Sequence, residues 1–523
     1  MYKVSWLFLI ILVNIIVYSS TGYKILVAFP VPSKSHAILG EGMVRHLLEA
    51  GHEVTYITPH PKKTAPPNLR QIDASAILQN MTGNPVSLKT LLRKEVDLRD
   101  TSFFHKILEK MNNAIFTNKN ILKLLNDPNE QFDLFLGEWF FTELLSGFAA
   151  VFQCPYIWVS TVEPHWQITR FIDESLNPSY NSDILSTNSV PLSFYERVEE
   201  LITQVKLTAM EKMYLNEKDE KTYTDIIGPL VAARGRTLPP YSDLIYNVSL
   251  ILGNSHVSMG EATRLPQNYK PVGGYHIDAN LTPLPEDLKK LLNEAKNGVI
   301  YFSMGSSLKS VDMPDDFKTG LLKLFGELKQ TVIWKFEESL TNVPSNVHLV
   351  QWAPQQSILA HSNCILFITH GGLLSTTETI HFGKPIIGIP GFGDQFINVN
   401  RMVKKGFGVK VDLTFSLVED LKLAIAEILS NPRYTKKVRE LSLIYHDRPV
   451  PPGKELVHWV EHVIRTGGAP HLRSPALHVP FWQKLYLDLL VVIIVVLYAT
   501  KILLSRLFRL IFGKGQLNKK KYQ

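Results

Sequence analysis

The sequence has few cysteines, no internal repeat and no Asp-x-Asp motif. It contains two cysteines among 523 residues, Cys154 and Cys364, too few for a disulfide scaffold or a cysteine-based metal site. Each lies beside a predicted strand, so we expect both to be small core residues. No Asp-x-Asp motif occurs anywhere in the chain. This absence argues against a divalent cation as part of any chemistry, and we expect no metal site.

The net charge of +7 comes from one end of the chain. Lysine and arginine number 55 and the acids 48, but seven of the bases and none of the acids lie in residues 501–523. The first 500 residues are therefore neutral, with 48 residues of each sign. A neutral body with a basic tail is typical of membrane topology. We expect no nucleic acid among the partners.

Residues 1–22 have the pattern of a secretory signal peptide. Lys3 precedes the uncharged stretch Trp6–Val17, and small polar residues follow. An apolar core of 12 residues is too short to span a membrane and suits a signal sequence. The alternative is a buried N-terminal helix.

A second apolar stretch, residues 485–504, is long enough for one transmembrane helix. Asp488 and Lys501 lie near its two ends. An amphipathic surface helix is the alternative, but residues 489–500 have no polar face. Because the following residues are basic, we expect residues 505–523 to be cytosolic and the body lumenal.

The basic tail ends in Lys520 and Lys521, at the fourth and third positions from the terminus. This placement resembles the dilysine retrieval signal of endoplasmic-reticulum membrane proteins, and a stop-transfer charge cluster is the alternative. We therefore predict a single-pass type I protein of that membrane, with residues 467–484 as a stalk. A lumenal body would make three triplets acceptors for glycans. They begin at Asn80, Asn247 and Asn280.

Strands and helices alternate in both halves of the chain, which is too long for one ordinary core. The first half begins with a strand at Lys24–Phe29, a helix from about Ser35 and a strand at His52–Thr58. This alternation predicts parallel sheets and an α/β fold. We expect two doubly wound, Rossmann-like domains, residues 23–270 and 271–466, facing a cleft.

Polar side chains follow two predicted strands of the second half, Ile365–Thr369 and Pro385–Pro390. In an open parallel sheet, ligands bind at the carboxyl ends of the strands. Gly371 and Gly372 would let the backbone approach a diphosphate at a helix N-terminus. The polar residues at this edge are His370, Ser375, Glu378, Asp394 and Gln395.

Each of these residues also has a structural explanation. Glu378 either closes a capping box with Ser375 at the start of a helix or accepts hydrogen bonds from a vicinal diol such as a ribose. Asp394 and Gln395 either bind sugar hydroxyls or terminate a turn. Trp352, after another strand, either stacks on a flat base or is an ordinary, partly buried aromatic residue.

Taken in order and spacing, these residues resemble the signature of the UDP-glycosyltransferase family. The pattern comprises Trp352-x-Pro354-Gln355, His370-x-Gly372-x-x-Ser375-x-x-Glu378 and Asp394-Gln395. The signal peptide, anchor and dilysine tail resemble the membrane-bound animal branch, and the run THGGLLST resembles insect members. The resemblance implies a GT-B fold, with the UDP-sugar bound by the C-terminal half and the acceptor by the N-terminal half. It implies no cofactor, since the UDP-sugar is a co-substrate.

The resemblance also implies a role for each donor residue. Trp352 would stack on uracil, Gln355 would contact the nucleoside and Glu378 would hold the ribose. Asp394 and Gln395 would bind the donor sugar. The diphosphate would be cradled by Ser306, His370, Gly372 and Ser375. Many plant and vertebrate members have Asn where this chain has Leu374, so a polar contact is lost and the donor sugar stays open.

The catalytic residues implied by the resemblance lie in the first half. His36, at the first strand-to-helix turn, would deprotonate the acceptor, and Glu138 would orient its imidazole where the family usually has Asp. The reaction would be an inverting, metal-independent single displacement. We expect UDP-glucose as donor, with UDP-glucuronate as the alternative. The acceptor would be a small lipophilic molecule bound by residues 60–240, as in detoxification or in hormone and pigment conjugation.

Two other functions fit the same fold. One is a non-catalytic membrane protein that binds a nucleotide sugar or a lipophile, and the other is an enzyme that hydrolyses or epimerises the UDP-sugar. The presence of both His36 and the donor signature favours transfer. The expected partners are therefore the UDP-sugar, a lipophilic acceptor and the membrane, and a homo-oligomer stays open.

Overall fold

The computed structural model describes residues 22–81, 87–93, 95, 101–306 and 310–512. It divides into two compact units, and the boundary lies between Arg473 and Ser474. The predicted signal peptide, apart from residue 22, and the lysines Lys520 and Lys521 lie outside the described residues, so those predictions stand as made.

The first sheet has seven parallel strands in the order β3-β2-β1-β4-β5-β6-β7. These strands are β1 (Lys24–Ala28), β2 (Glu53–Thr58), β3 (Leu69–Asp73), β4 (Leu134–Trp139), β5 (Tyr156–Ser160), β6 (Leu250–Gly253) and β7 (Tyr269–Pro271). The order reverses between β1 and β4, which places the carboxyl ends of these two strands at the topological switch point.

The second sheet has six parallel strands in the order β10-β9-β8-β11-β12-β13. These strands are β8 (Val299–Ser303), β9 (Thr331–Lys335), β10 (Val347–Val350), β11 (Cys364–Thr369), β12 (Ile386–Gly388) and β13 (Gly408–Lys410). Its switch point lies between β8 and β11, where the predicted donor residues begin. The predicted α/β fold with two doubly wound sheets is confirmed, whereas the domain boundaries stay predictions.

Helices connect the strands of the first unit and cover its two sheets, and the last two helices of the chain belong to the unit that begins at Ser474. In chain order they are α1 (Lys34–Glu49), α2 (Ala76–Asn80), α3 (Leu88–Leu92), α4 (Thr101–Phe116), α5 (Lys119–Asn126), α6 (Gly147–Phe152), α7 (Trp166–Thr169), α8 (Phe194–Met210), α9 (Asn216–Thr222), α10 (Gly228–Ala232), α11 (Tyr241–Ile245), α12 (Glu286–Glu294), α13 (Asp315–Gly326), α14 (Gln355–Ala360), α15 (Leu373–Phe382), α16 (Gln395–Lys405), α17 (Leu417–Ser430), α18 (Arg433–His446), α19 (Pro452–Arg465), α20 (Phe481–Lys484) and α21 (Leu487–Phe512).

The core follows from the apolar strands. Strand β1 is buried along four of its five residues, as expected for a parallel strand with helices on both faces. Helix α19, late in the chain, packs back on α1 and buries Leu456 and Val460 in the cluster that contains Ile25. Leu374, on α15 of the second half, packs against this same cluster.

A helix expected at Phe140–Phe152 is shorter than the sequence suggests. A 3₁₀ turn begins at Leu144 and α6 at Gly147. Phe141 has a φ of +55°, a left-handed conformation that a helix cannot contain. The segment after β4 is therefore an irregular connection, and it lies at the carboxyl edge of the first sheet.

The unit beginning at Ser474 contains the apolar helix α21. The helix has 26 residues, Leu487–Phe512, and contains an 18-residue window with a mean hydropathy of 2.5, so it is long and apolar enough to cross a membrane. The span predicted from sequence, residues 485–504, lies largely within it.

Candidate active site

His36 and Glu138 meet at the switch point of the first sheet. His36 lies in the first turn of α1, which follows β1. Glu138 lies near the end of β4, whose Gly137 is paired with Ala28 of β1. A hydrogen bond joins His36 Nδ1 to Glu138 Oε1. Because a carboxylate only accepts, the proton of the imidazole lies on Nδ1 and Nε2 keeps its lone pair.

The surroundings of this pair hold it in place. The Glu138 side chain has no exposed surface, whereas that of His36 is 18% exposed. The other carboxylate oxygen, Oε2, lies 3.4 Å from the backbone N–H of Val31. The ring of Phe140 stands edge-on to the imidazole, with centroids 5.2 Å apart. One partner is thus fixed in the interior and the other is open to the cleft.

Glu378 is the centre of a buried network in the second half. Gln355 Nε2 donates to its Oε2 at 2.6 Å, and Gln356 Nε2 donates to its Oε1 at 3.0 Å. Gln355 also donates to Ser375 Oγ at 3.2 Å. His276, whose side chain is fully buried, lies 3.5 Å from Glu378 Oε1, too far for a good hydrogen bond, and both its ring nitrogens lack partners.

The predicted capping box of Ser375 and Glu378 is wrong. Helix α15 begins at Leu373 with Gly372 as its N-cap, and no side chain caps it. Because the helix begins three residues earlier than a capping box at Ser375 requires, Ser375 lies inside its first turn. This earlier start brings the positive end of the helix closer to the glycine turn.

His370 is packed between two strand-to-helix turns. A Cβ atom at Gly305 would lie 2.4 Å from His370 Cε1, and one at Gly372 would lie 2.6 Å from Nε2. A hydrogen bond of 3.1 Å joins Nδ1 to Thr369 Oγ1. Burial, and secondarily the ammonium of Lys335, lowers the pKa of His370 to about 4. The imidazole is therefore neutral at physiological pH.

Asp394 and Gln395 lie at the start of α16, next to the glycine turn. Asp394 Oδ2 accepts from Asn398 Nδ2 at 2.8 Å, and the same amide lies 3.3 Å from the carbonyl of Gly371. Gln395 Oε1 accepts from two backbone N–H groups of the preceding turn. Burial raises the pKa of Asp394, while the Asn398 amide and His36 oppose this shift.

Trp352 and Ser306 complete the predicted donor residues. The side chain of Trp352 is 55% exposed, so its ring is available for stacking. Ser306 lies in a turn rather than at the start of a helix, because Gly305 has a φ of +81°. The next described α-helix, α13, begins at Asp315. Any anion contact at Ser306 would therefore use this turn. Ser307 lies outside the described residues.

Several residues of this site were not predicted from the sequence. Gln356 bonds to Glu378 and accepts from the backbone N–H of Asp278 at 3.2 Å. The i, i+4 spacing of Asp394 and Asn398 on a helix was a usable signal for that pair. Lys335 Nζ donates to the carbonyl of Gly305 at 2.9 Å, and nothing in its local sequence indicates this contact.

The two cysteines and the glycan triplets are not part of the predicted site. Cys154 and Cys364 are free thiols, and burial raises their pKa values to about 12 and about 11, as expected for core residues. Asn247 and Asn280 are exposed, and Asn80 is the last residue of α2. Glycosylation at the three positions stays a prediction.

The two parallel sheets and the site between them define the fold as that of a GT-B glycosyltransferase. The chain is similar to the spinosyn forosaminyltransferase SpnP, with a TM-score of 0.54 and 15% identity over 85% of this chain and 99% of that one. It is similar also to the calicheamicin glycosyltransferase CalG4, with a TM-score of 0.56, 15% identity and the same coverage.

The chain belongs to the UDP-glucoronosyl and UDP-glucosyl transferase family, whose model matches residues 24–522. It is 32% identical to the UDP-glycosyltransferase UGT5 of Dactylopius coccus, over 94% of both chains. It is 28% identical to the ecdysteroid UDP-glucosyltransferase of Spodoptera littoralis nuclear polyhedrosis virus, over 92% of this chain and 96% of the other. It is 27% identical to the UDP-glucuronosyltransferase 2B9 of Macaca fascicularis, over 93% of both. The protein is a UDP-sugar glycosyltransferase.

Proposed function

We propose that the enzyme transfers glucose from UDP-glucose to a hydroxyl of a small lipophilic acceptor, with inversion and without a metal. The observation that carries this proposal is the His36–Glu138 pair, in which a carboxylate without exposed surface holds an imidazole at the switch point of the first sheet. A base fixed in one half and a predicted sugar ligand in the other are what a direct displacement between two substrates requires.

In the proposed mechanism, His36 Nε2 accepts the proton of the acceptor hydroxyl. The hydroxyl oxygen attacks the anomeric carbon as the bond from that carbon to the diphosphate oxygen breaks, and UDP leaves. Glu138 holds the imidazole by Nδ1 and stabilises the imidazolium that forms. The N-terminus of α15 and the backbone of the glycine turn stabilise the charge that grows on the diphosphate.

The proposed donor site uses the residues already described. Trp352 stacks on uracil, and Glu378 accepts hydrogen bonds from the ribose with the lone pairs that Gln355 and Gln356 leave free. Gln355 contacts the nucleoside. Ser306, His370, Gly372 and Ser375 hold the diphosphate, and Asp394 and Gln395 bind the sugar.

Glucose is the proposed donor sugar because relatives among insects and their viruses carry the names of glucosyltransferases. UDP-glucuronate is the alternative, and the mammalian relatives named glucuronosyltransferases favour it. A carboxylate at Asp394 suits a neutral hexose better than an anionic one, since like charges repel.

The acceptor site is proposed to begin at the connection after β4. Phe140 and Phe141 follow Trp139, the last residue of β4. Both are only partly buried, and Phe140 contacts the ring of His36. Aromatic rings beside the base suit an apolar phenol or alcohol. Detoxification or hormone and pigment conjugation would use such acceptors.

An acceptor screen with both donors tests this function. The full chain is incubated with UDP-glucose or UDP-glucuronate and a panel of phenols, alcohols and steroids, and products are identified by mass. The proposal predicts hexosides from UDP-glucose. Free UDP formed at the same rate without an acceptor would instead indicate hydrolysis.

We further propose that α21 anchors the enzyme in the endoplasmic-reticulum membrane, with a lumenal body and a cytosolic tail. The apolar helix, the basic residues after it and the dilysine pattern support this placement. A homo-oligomer is compatible with it. Protection of the body from protease in sealed microsomes, with the tail accessible, is the expected result.

A further inference from the structure

Two ammonium groups approach Trp352, and they come from opposite halves of the enzyme. Lys34 Nζ lies over the ring at 4.3 Å from its centroid, and Lys34 is the first residue of α1, two residues before His36. Lys335 Nζ lies 5.8 Å from the same centroid and comes from β9 of the second half.

The two lysines differ in their counter-ions. Lys335 is buried, and its Nζ contacts Glu337 Oε1 at 2.8 Å and the carbonyl of Gly305 at 2.9 Å. Lys34 is exposed, and within the described residues no carboxylate oxygen lies within 4.0 Å of its ammonium. The site therefore carries an excess of positive charge beside the turns that flank His370. Such an excess favours an anion with more than one negative charge.

We infer that Lys34 is a further donor-binding residue, contributed by the acceptor half, whose ammonium pairs with the diphosphate of the UDP-sugar. This inference rests on the proposed function of the donor site. A base that stacks on Trp352 competes with Lys34 for the ring. The displaced ammonium stays attached to the first turn of α1, within a side-chain length of Trp352 and near the turns at Gly305 and Gly372.

The exchange is favourable because a charge-assisted contact with phosphate is stronger than an exposed cation–π contact. It has a consequence for the reaction, since Lys34 and His36 lie on the same helical turn. Pairing of Lys34 with the diphosphate would hold this turn against the donor and so place His36 Nε2 towards the anomeric carbon.

Binding of uridine and of UDP distinguishes the contact of Lys34 with the Trp352 ring from its proposed pairing with the diphosphate. Uridine only competes for the Trp352 ring, whereas UDP also provides the diphosphate. Calorimetric titrations of the full chain in detergent would compare the wild type with Lys34→Met, Lys34→Gln and Lys34→Arg. Lys63→Met removes one exposed charge from the same half and is the matched control.

We expect Lys34→Met and Lys34→Gln to weaken UDP binding by about tenfold while uridine binding is unchanged or tighter. Lys34→Arg should keep UDP affinity to within about threefold, because it retains the charge, and Lys63→Met should change neither ligand. Unfolding temperatures equal to that of the wild type establish that the variants are folded.

Equal changes in UDP and uridine affinity, or unchanged UDP affinity in Lys34→Met, would overturn the inference. These results would leave the proposed function standing. A wild-type chain that does not bind UDP at all would instead contradict the donor site itself, so the two failures are distinguishable.

Discussion

The proposed base and its partner are separated by 102 residues in sequence and joined by one hydrogen bond. Sheet topology explains their meeting, because β1 and β4 are neighbours and their carboxyl ends are adjacent. Glu138 has no exposed surface, so its carboxylate interacts with His36 in a low-dielectric environment where a charge is effective. For this pair of residues, the proposed proton transfer depends on which nitrogen of the imidazole carries the proton.

Substitutions of Glu138 test this dependence. Glu138→Gln keeps the size of the side chain but can also donate to Nδ1, and we expect kcat to fall roughly 10²–10⁴-fold because the wrong tautomer is stabilised. Glu138→Asp keeps the charge, and we expect a loss of no more than about tenfold. Steady-state kinetics on both variants provide the comparison. Equal losses would show that the charge of Glu138 has no part in the reaction.

Glu163 provides a prediction on stability rather than on rate. It is buried in the loop after β5, and its Oε1 has no hydrogen-bond partner. Burial, opposed by Arg401, raises the pKa of Glu163 to about 7. The folded protein therefore holds this proton to a higher pH than the unfolded chain does. Stability should fall as the pH rises from about 4.5 to 7 and level off above that range.

Glu163→Gln should remove this part of the pH dependence and raise the unfolding temperature at pH 8 relative to the wild type. Glu286→Gln, at a largely exposed position on α12, is the control and should leave the profile unchanged. Thermal unfolding between pH 5 and 8 measures both. An unchanged profile in Glu163→Gln would show that Glu163 is ionised throughout.

Among the elements, α15 connects the proposed donor site to the acceptor half. Its N-terminus faces the glycine turn, Ser375 and Glu378 belong to its polar network, and Leu374 packs against the cluster around β1 and α1. Leu374 thus makes an apolar contact between the two halves of this enzyme.

Leu374→Asn should destabilise the protein by about 1–3 kcal/mol, because it places an amide in a partly buried apolar contact. Leu374→Met keeps the apolar volume and should cost less than about 1.5 kcal/mol. Unfolding of the full chain in detergent compares the two. A variant with Asn as stable as the wild type would mean that the contact contributes nothing.

For the whole molecule, the sequence predicted the larger features better than the contacts. The alternating strands predicted both sheets, because strand and helix patterns are local. The predicted donor residues lie at the carboxyl ends of strands of the second sheet, as the sequence indicated. Gln356 and Lys335 could not be predicted, since their partners are brought together only by the fold. The capping box was wrong because Ser-x-x-Glu also occurs inside a helix when Gly372 provides the N-cap.

Removal of α21 tests its proposed role as the membrane anchor. A chain ending at Arg473 lacks α21, and we expect it to be extracted by alkaline carbonate, whereas the full chain stays with the membrane. The boundary between the compact units at Arg473 supports this choice of end point. A truncated chain that resists extraction would show that another surface binds the membrane.

The central claim is that His36 is the base of a direct transfer. The most direct test measures glucoside formation and UDP binding together in His36→Ala. We predict that kcat falls by roughly 10²–10⁴-fold, that UDP affinity stays within about threefold, and that the wild-type product has the inverted anomeric configuration. Transfer by a folded His36→Ala at the wild-type rate, or a product of retained configuration, would contradict the account.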